Sequence, residues 1–517
     1  MRQWAALGLL ALASGCGGGP PQDDEGRIIG FAGIVAGDEP RAVLIARSVL
    51  TAGGTAGDAA AAYYFAATVT LPSRASLGGG GVCVVHEPAT QKTEFLEFLP
   101  RAAAPAASPG EVAVAVPGAA RGMFALHARY GRQRWELLVF EAERIARFGT
   151  EVSRAFARDL AAGGAELVRD PAARRIFAGA GGAPLGEGER LRQLDLAATL
   201  GRLRIEGPGA FYSGPGAQAF VAGARAIGGA LVAEDLRTYL PSWRATAKAE
   251  FGNHVAHFAG TPAAGGMRAA ELWAALGAGG RWDRARAEDR AHLLLETAAQ
   301  LAAATASQPA PLDRRGLIDE VWADRVMRGV GPRHAPSLRQ DGAPPASAAS
   351  TGFAVMDREG GAVACAVTAG RLFGTGRVVP GTGIVAADPV TAEAAASLAP
   401  VLVVNVNSKD AFLAAAGAGD PAAASALAQV LLDTAEAERK LADAVAAPRA
   451  HYVAALDAAI AEQGADALAQ RGHKVALARA LARVNAIWCP SGIRRASADC
   501  VMATDPRGFG LAVGVEE

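Results

Sequence analysis

The chain has 517 residues, and its 51 Lys and Arg balance 51 Asp and Glu. A formal charge of zero excludes a global basic field that would gather nucleic acid, and an equally broad acidic one. The length allows about two to four domains or one large α/β unit, and core burial is not limiting. The 63 glycines and the 6% aromatic content fit small-residue packing in a layered fold.

Met1-Arg2-Gln3 is a cationic start, residues 4–13 are apolar, and Ser14-Gly15-Cys16 follows. Residues 1–16 therefore read as a secretory signal whose apolar core is too short to span a bilayer. The small residues before Cys16 resemble a bacterial lipobox, with Leu12 one place early. On that reading Cys16 carries lipid, residues 17–25 are a flexible tether, and the protein is exported to the periplasm. The lipid on the outer membrane is then its only membrane contact. The other reading is a plain cleaved signal.

Residues 28–35 read as a strand, 42–50 as a helix and 58–70 as a second helical stretch that Pro72 ends. Gly78-Gly79-Gly80-Gly81 leads into a strand, Glu87-Pro88 turns, and 95–99 returns, an antiparallel pair. The glycine run lacks a Gly-Lys-Ser/Thr ending and opens no helix, so it is not a phosphate loop. Close backbone approach or simple packing explains it. Residues 135–148, 151–160, 191–203 and 214–227 have helical periodicity, 254–258 reads as an isolated strand, and 291–304 as a helix. From 309 to 349 regularity is lost among Pro311, Pro332, Pro336, Pro344 and Pro345, as in a linker. Then 353–357 and 362–368 form a hairpin about Glu359-Gly360-Gly361. Residues 422–435 and 451–463 read as helices, and 484–488, 500–504 and 510–515 as late strands. Two strand-rich regions with helical blocks between them predict an α+β fold of stacked antiparallel sheets between helices.

Cys489 and Cys500 flank a turn-rich excursion, and a local disulfide there would contribute at most about 3 kcal/mol. Cys83 and Cys365 sit in apolar runs and read as buried small hydrophobes. The eight histidines are scattered without ligand spacing, so neither a zinc site nor any cofactor is expected. No Gly-x-Ser-x-Gly elbow is present.

Ser350-Thr351 heads the strand that follows the linker. Such a pair is commonly just a strand start. Its other reading is an N-terminal nucleophile: a cut before the hydroxyl residue frees an α-amine that serves as its base.

In order along the chain come Leu77-Gly78-Gly79-Gly80-Gly81, Val116-Pro117-Gly118, Tyr130-Gly131, Leu194-Asp195-Leu196-Ala197-Ala198-Thr199-Leu200, Phe211-Tyr212-Ser213-Gly214, Thr261-Pro262-Ala263-Ala264-Gly265-Gly266, Val445-Ala446-Ala447-Pro448-Arg449, Gly472-His473 and Thr504-Asp505-Pro506-Arg507-Gly508. Through this series the chain resembles the γ-glutamyltransferase (γ-glutamyl transpeptidase) family over almost its whole mature length. The resemblance implies a four-layer αββα N-terminal-nucleophile hydrolase sandwich. It also implies a precursor that cuts itself between Ala349 and Ser350. Residues 26–349 would be the large subunit and 350–517 the small one. Without gaps from Asp357, the family's nucleophile falls on Ser350 and its second hydroxyl on Thr351. Thr368 falls on the hydroxyl that supports the nucleophile, Gly419 and Asp420 on the oxyanion hole, and Arg101 on the donor-carboxylate arginine.

Several family positions carry other residues here. The histidine after the hydroxyl pair is Gly352, and an asparagine that holds the donor is Gly370. The acidic donor segment is Ala386-Ala387-Asp388-Pro389, which leaves Asp388. The two donor-gripping serines are Ala396-Ser397, which leaves Ser397. The resemblance implies transfer of γ-glutamyl from glutathione-like donors to water or amines. Its alternatives are an acylase for a different amide and a non-catalytic envelope scaffold of the same fold.

Overall fold

In the computed structural model, residues 30–104, 110–305, 312, 316–334 and 348–516 are described. Residues 1–29, and with them the signal, Cys16 and the tether, lie outside them, as do residues 309–311, 313–315 and 335–347 of the expected linker. Among the described residues no helix is long and apolar enough to cross a membrane.

Alternation along the Ser350–Asp357 strand sets the layers. Phe353 and Val355 point to one side and Ala354 and Met356 to the other. The first side packs, with Val363, Cys365 and Val367, against the helices Ala56–Thr70, Ala119–Tyr130 and Trp135–Phe148. The second meets Leu402, Ala414 and Ile487 of another sheet. That other sheet presses its far face on the helices Ala264–Gly277, Ala287–Thr305 and Ala423–Leu431. Helix, sheet, sheet, helix is the expected αββα order.

The first sheet has seven strands, in the order Leu511–Glu516, Phe31–Gly37, Ser350–Asp357, Ala362–Thr368, Gly80–Glu87, Lys92–Phe98 and Ser242–Ala245. The second has six: Val501–Ala503, Arg483–Trp488, Ala411–Ala418, Ala399–Asn405, His254–Phe258 and Ala247–Phe251. The Ser350–Asp357 strand is thus interior, paired antiparallel on both sides. Helix Ala56–Thr70 is buried along its whole length and capped by a reciprocal Thr55/Asp58 box. Its Ala56 N–H donates to Asp357 Oδ2 at 2.8 Å, which ties the far end of the Ser350–Asp357 strand to the helix layer.

Glycine in the 78–81 run serves close approach. A Cβ on Gly79 would stand 2.3 Å from the Thr368 carbonyl oxygen. Cys489–Cys500 forms as expected.

Four expectations need correction. Cys83 and Cys365 are not free hydrophobes. They stand opposite each other on paired antiparallel strands and form a disulfide 282 residues apart in sequence. His254–Phe258 is not isolated but lies between two partners. Residues 451–463 are not helical: the strands Ala450–Val453 and Ala458–Ala461 pair about Asp457, whose φ of 46° no right-handed helix accepts. The linker contains a helix, Glu320–Met327, capped by Asp319. Residues 422–435 are helical as expected, as an α-helix over Ala423–Leu431 that continues in a wider π turn through Glu436.

Candidate active site

Ser350 opens its strand with no exposed surface. Its strand parity matches Ala354 and Met356, so its side chain enters the space between the sheets. There it meets the ends of two strands of the second sheet. The Gly419 N–H, just past Ala411–Ala418, donates to Ser350 Oγ at 2.7 Å. Ser350 Oγ donates to the Ser397 carbonyl, just before Ala399–Asn405, at 2.8 Å. Gly419 has a φ of 118°, a conformation that favours glycine.

Thr368 is the register partner of Ser350 on the neighbouring strand. Its hydroxyl donates to the Ala349 carbonyl oxygen at 2.6 Å and accepts from the Gly370 N–H at 2.8 Å. Ala349 O belongs to the peptide bond that self-cleavage would break. The amide on the other side of that bond, Ser350 N–H, donates to Gly419 O at 3.3 Å.

The carbonyl of Ser350 itself is gripped by two arginines, Arg74 at 3.2 Å and Arg483 at 3.0 Å. Arg74 is fixed by a two-pronged pair with Asp159, which also accepts from Ser73. Arg483 pairs with buried Asp38 at 3.0 Å. Asp38 also accepts from Asn485 at 2.8 Å and from the Thr351 hydroxyl at 2.9 Å. Burial alone would raise the Asp38 carboxyl, but Arg483 and these hydrogen bonds hold it below the ordinary value. Thr351 is therefore engaged away from Ser350. Sequence reasoning missed Asp38, Arg74, Asp159, Arg483 and Asn485. Their only signal was charge at the edges of apolar runs, such as Asp38-Glu39 after the first strand.

Gly352, where the family has histidine, faces the second sheet. A Cβ there would stand 2.9 Å from the Ala416 Cβ, so a side chain has no room. Asp420 does not aim its carboxylate at Ser350: one oxygen accepts from Ala422 N and the other from Ala482 N.

The expected donor-clamp residues are engaged within the protein. Arg101 pairs with Glu97 at 3.2 Å, donates to Leu240 O and lies over the Tyr239 ring. Asp388 forms a two-pronged pair with Arg371, both contacts 3.0 Å. The Ser397 hydroxyl donates to Ala394 O, and only its carbonyl reaches Ser350. The histidines do not stay scattered either, since His292, His334 and His473 converge with Glu296 away from Ser350.

A hydroxyl at the head of an interior strand of a two-sheet sandwich, with a donor on the carbonyl before it, defines the N-terminal-nucleophile hydrolase class. Comparison with known proteins gives the family. The gamma-glutamyltranspeptidase family model matches residues 42–515, and the chain belongs to that family. The "Acylase ACY 1 proenzyme" of Pseudomonas sp. (strain V22) is 30% identical over 506 residues, covering 86% of this chain and 88% of the relative. The "Glutathione hydrolase proenzyme" of Pseudomonas aeruginosa is 28% identical over 388 residues, 69% of this chain and 67% of the relative. With "Glutathione hydrolase 3" of Arabidopsis thaliana, 34% identical, the match spans 40% of this chain and 34% of the relative. Among solved structures, the cephalosporin acylase from Bacillus halodurans shares the fold at a TM-score of 0.76 and 22% identity, over 98% of this chain and 100% of that one.

Proposed function

We propose that this chain is an amide hydrolase or acyltransferase precursor that cuts itself between Ala349 and Ser350 and then uses Ser350 as its nucleophile. The observation that carries the reading is the geometry at that bond. Thr368 donates to the Ala349 carbonyl oxygen, while Ser350 Oγ is held between Gly419 and Ser397.

Self-cleavage runs as an acyl shift. Ser350 Oγ attacks the Ala349 carbonyl carbon and its proton passes to the departing Ser350 nitrogen. Thr368 stabilises the charge that develops on Ala349 O. Water then hydrolyses the ester, releasing the Ala349 carboxylate and a free Ser350 α-amine. In catalysis that amine, with an ordinary pKa of about 7.7–8.0, takes the proton as Oγ attacks an amide donor. It returns the proton to the leaving amine. With Ala349 gone from the front of Ser350, the backbone N–H of Gly419 serves the donor's oxyanion. Water or a second amine completes the turnover.

The family default is a γ-glutamyl donor of the glutathione type. Two observations favour a different amide, one without a free α-amino acid. Arg101 and Asp388 are already neutralised by Glu97 and Arg371. The longest relative match described above is to an acylase proenzyme. A zwitterionic donor end entering here would have to compete with Glu97 for Arg101 and with Arg371 for Asp388.

Export with a lipid on Cys16 is also part of the proposal. The apolar signal and the two disulfides, which persist in oxidising compartments, support it. The Cys83–Cys365 bridge joins residues on either side of the cut, so the two fragments stay covalently linked.

Two donors test the donor reading: γ-glutamyl anilide, and an acyl anilide of similar length lacking the α-amino group. The proposal expects faster anilide release from the second. Release from neither, by protein with a mapped Ser350 N-terminus, would leave a processed scaffold in place of an enzyme.

A further inference from the structure

One buried cluster is used by nothing described so far. His292 and Glu296 lie four residues apart on helix Ala287–Thr305, so they leave the same face one turn apart. His473, just before the Val475–Leu477 strand, meets them from across the core. His292 Nδ1 and His473 Nε2 are 2.9 Å apart, and His473 Nε2 is 3.9 Å from Glu296 Oε1. One ligand atom from each of the three falls within 4.8 Å of the others, and all three residues are buried.

Each of these groups except His473 is also held from behind. His292 Nε2 lies 3.0 Å from the Gly331 carbonyl oxygen. A carbonyl only accepts, so Nε2 carries the proton and Nδ1 presents its lone pair to the cluster. Glu296 Oε1 accepts from His334 Nδ1, and His334 Nε2 lies 3.2 Å from Asp457 Oδ1. The Tyr452 hydroxyl donates to that same Asp457 oxygen at 2.6 Å. The remaining carboxylate oxygen, Glu296 Oε2, is buried and has no hydrogen-bond partner among the described residues. Leaving such an atom unpaired carries a desolvation penalty that a bound cation would relieve. Backing of histidine and carboxylate donors by carbonyls and further polar groups is the arrangement that orients metal ligands.

We propose that His292, His473 and Glu296 bind a divalent transition cation, zinc foremost. Two imidazoles and one carboxylate are a zinc donor set. Tetrahedral donors at about 2.0–2.1 Å from zinc stand about 3.3 Å from one another. The separations of 2.9 and 3.9 Å bracket that spacing. On binding, the proton shared between His292 and His473 moves to Nδ1 of His473, so both rings coordinate as neutral imidazoles. The histidine donors are 181 residues apart in sequence, which is why their spacing hid the site. They also lie on opposite sides of the proposed cut, so the cation would clamp large and small fragments together. That last consequence rests on the proposed self-cleavage, whereas the binding does not.

The test counts metal on the full, untagged chain after stripping with dipicolinate and dialysis against micromolar zinc. About one zinc per chain is expected, and cobalt in its place should give the visible absorption of a four-coordinate site. Ser350→Ala protein should bind equally, which separates this result from any failure of self-cleavage. His292→Gln combined with Glu296→Gln should abolish binding. His334→Gln keeps all three donors and should weaken zinc affinity by about 10- to 100-fold. Wild-type protein holding less than about a tenth of a zinc per chain overturns the proposal, as does unchanged binding in the folded double variant. If the double variant does not fold, the wild-type count and the cobalt spectrum decide.

Discussion

Replacing Thr368 by valine removes one hydroxyl and keeps the branched shape that fits its interior strand. The hydroxyl makes two bonds of consequence. It donates to Ala349 O at 2.6 Å and accepts from Gly370 N–H at 2.8 Å. The first bond faces the oxygen that gains charge as Ser350 attacks. Loss of one oxyanion donor costs about 2.7–4 kcal/mol of transition-state stabilisation, or about 100- to 1000-fold in rate. The second loss leaves a buried N–H unpaired and should lower stability by about 1–3 kcal/mol. The folded precursor should therefore accumulate, with a reduced melting temperature. The assay is a time course of purified precursor on reducing gels with intact mass. Thr368→Ser keeps the hydroxyl and should mature within about 10-fold of the wild-type rate. Maturation of Thr368→Val at the wild-type rate would refute the role given to this hydroxyl.

Other consequences are equally open to measurement. Mature protein should run as one band without reductant and as two with it, because Cys83–Cys365 bridges the cut; Cys83→Ala with Cys365→Ala should give two bands in either case. Arg483→Met strands the buried Asp38 carboxylate and should cost about 3–5 kcal/mol in urea unfolding. The Asp38 carboxyl is lowered in the folded state, so its contribution is present above its unfolded value of about 3.9 and is lost as pH falls below it. Burial raises Glu39 to about 7. That group favours the folded state only while protonated, so its stabilisation fades from about pH 4.5 upward and is gone above 7. Glu39→Gln should therefore stabilise the protein at pH 8 by at most about 3 kcal/mol and change little at pH 4, read as melting temperatures across pH.

The layers could be read from alternation at 353–357 and from helical periodicity at 135–148, because each pattern reports one buried face. The centre of the second sheet was missed. Its strand Ala411–Ala418 reads AFLAAAGA, a composition that favours helix by local propensity. Packing between two sheets needs small side chains there, and that demand overrides propensity. Residues 451–463 failed for the same reason, with alanine-rich strands turned by Asp457. At the site, Ser350 and Thr368 could be placed because family register fixes them. The arginines on the Ser350 carbonyl come from positions 276 residues before it and 133 after it. No local pattern links such residues before the sheets are assembled. The disulfide Cys83–Cys365 was hidden likewise, since only the pairing of two distant strands sets its cysteines face to face.

N-terminal mapping of the reduced, mature protein tests the central claim most directly. The account requires a fragment that begins at Ser350 and disappears in Ser350→Ala. An intact Ala349–Ser350 bond in folded protein, or a fragment beginning at Thr351, would contradict it.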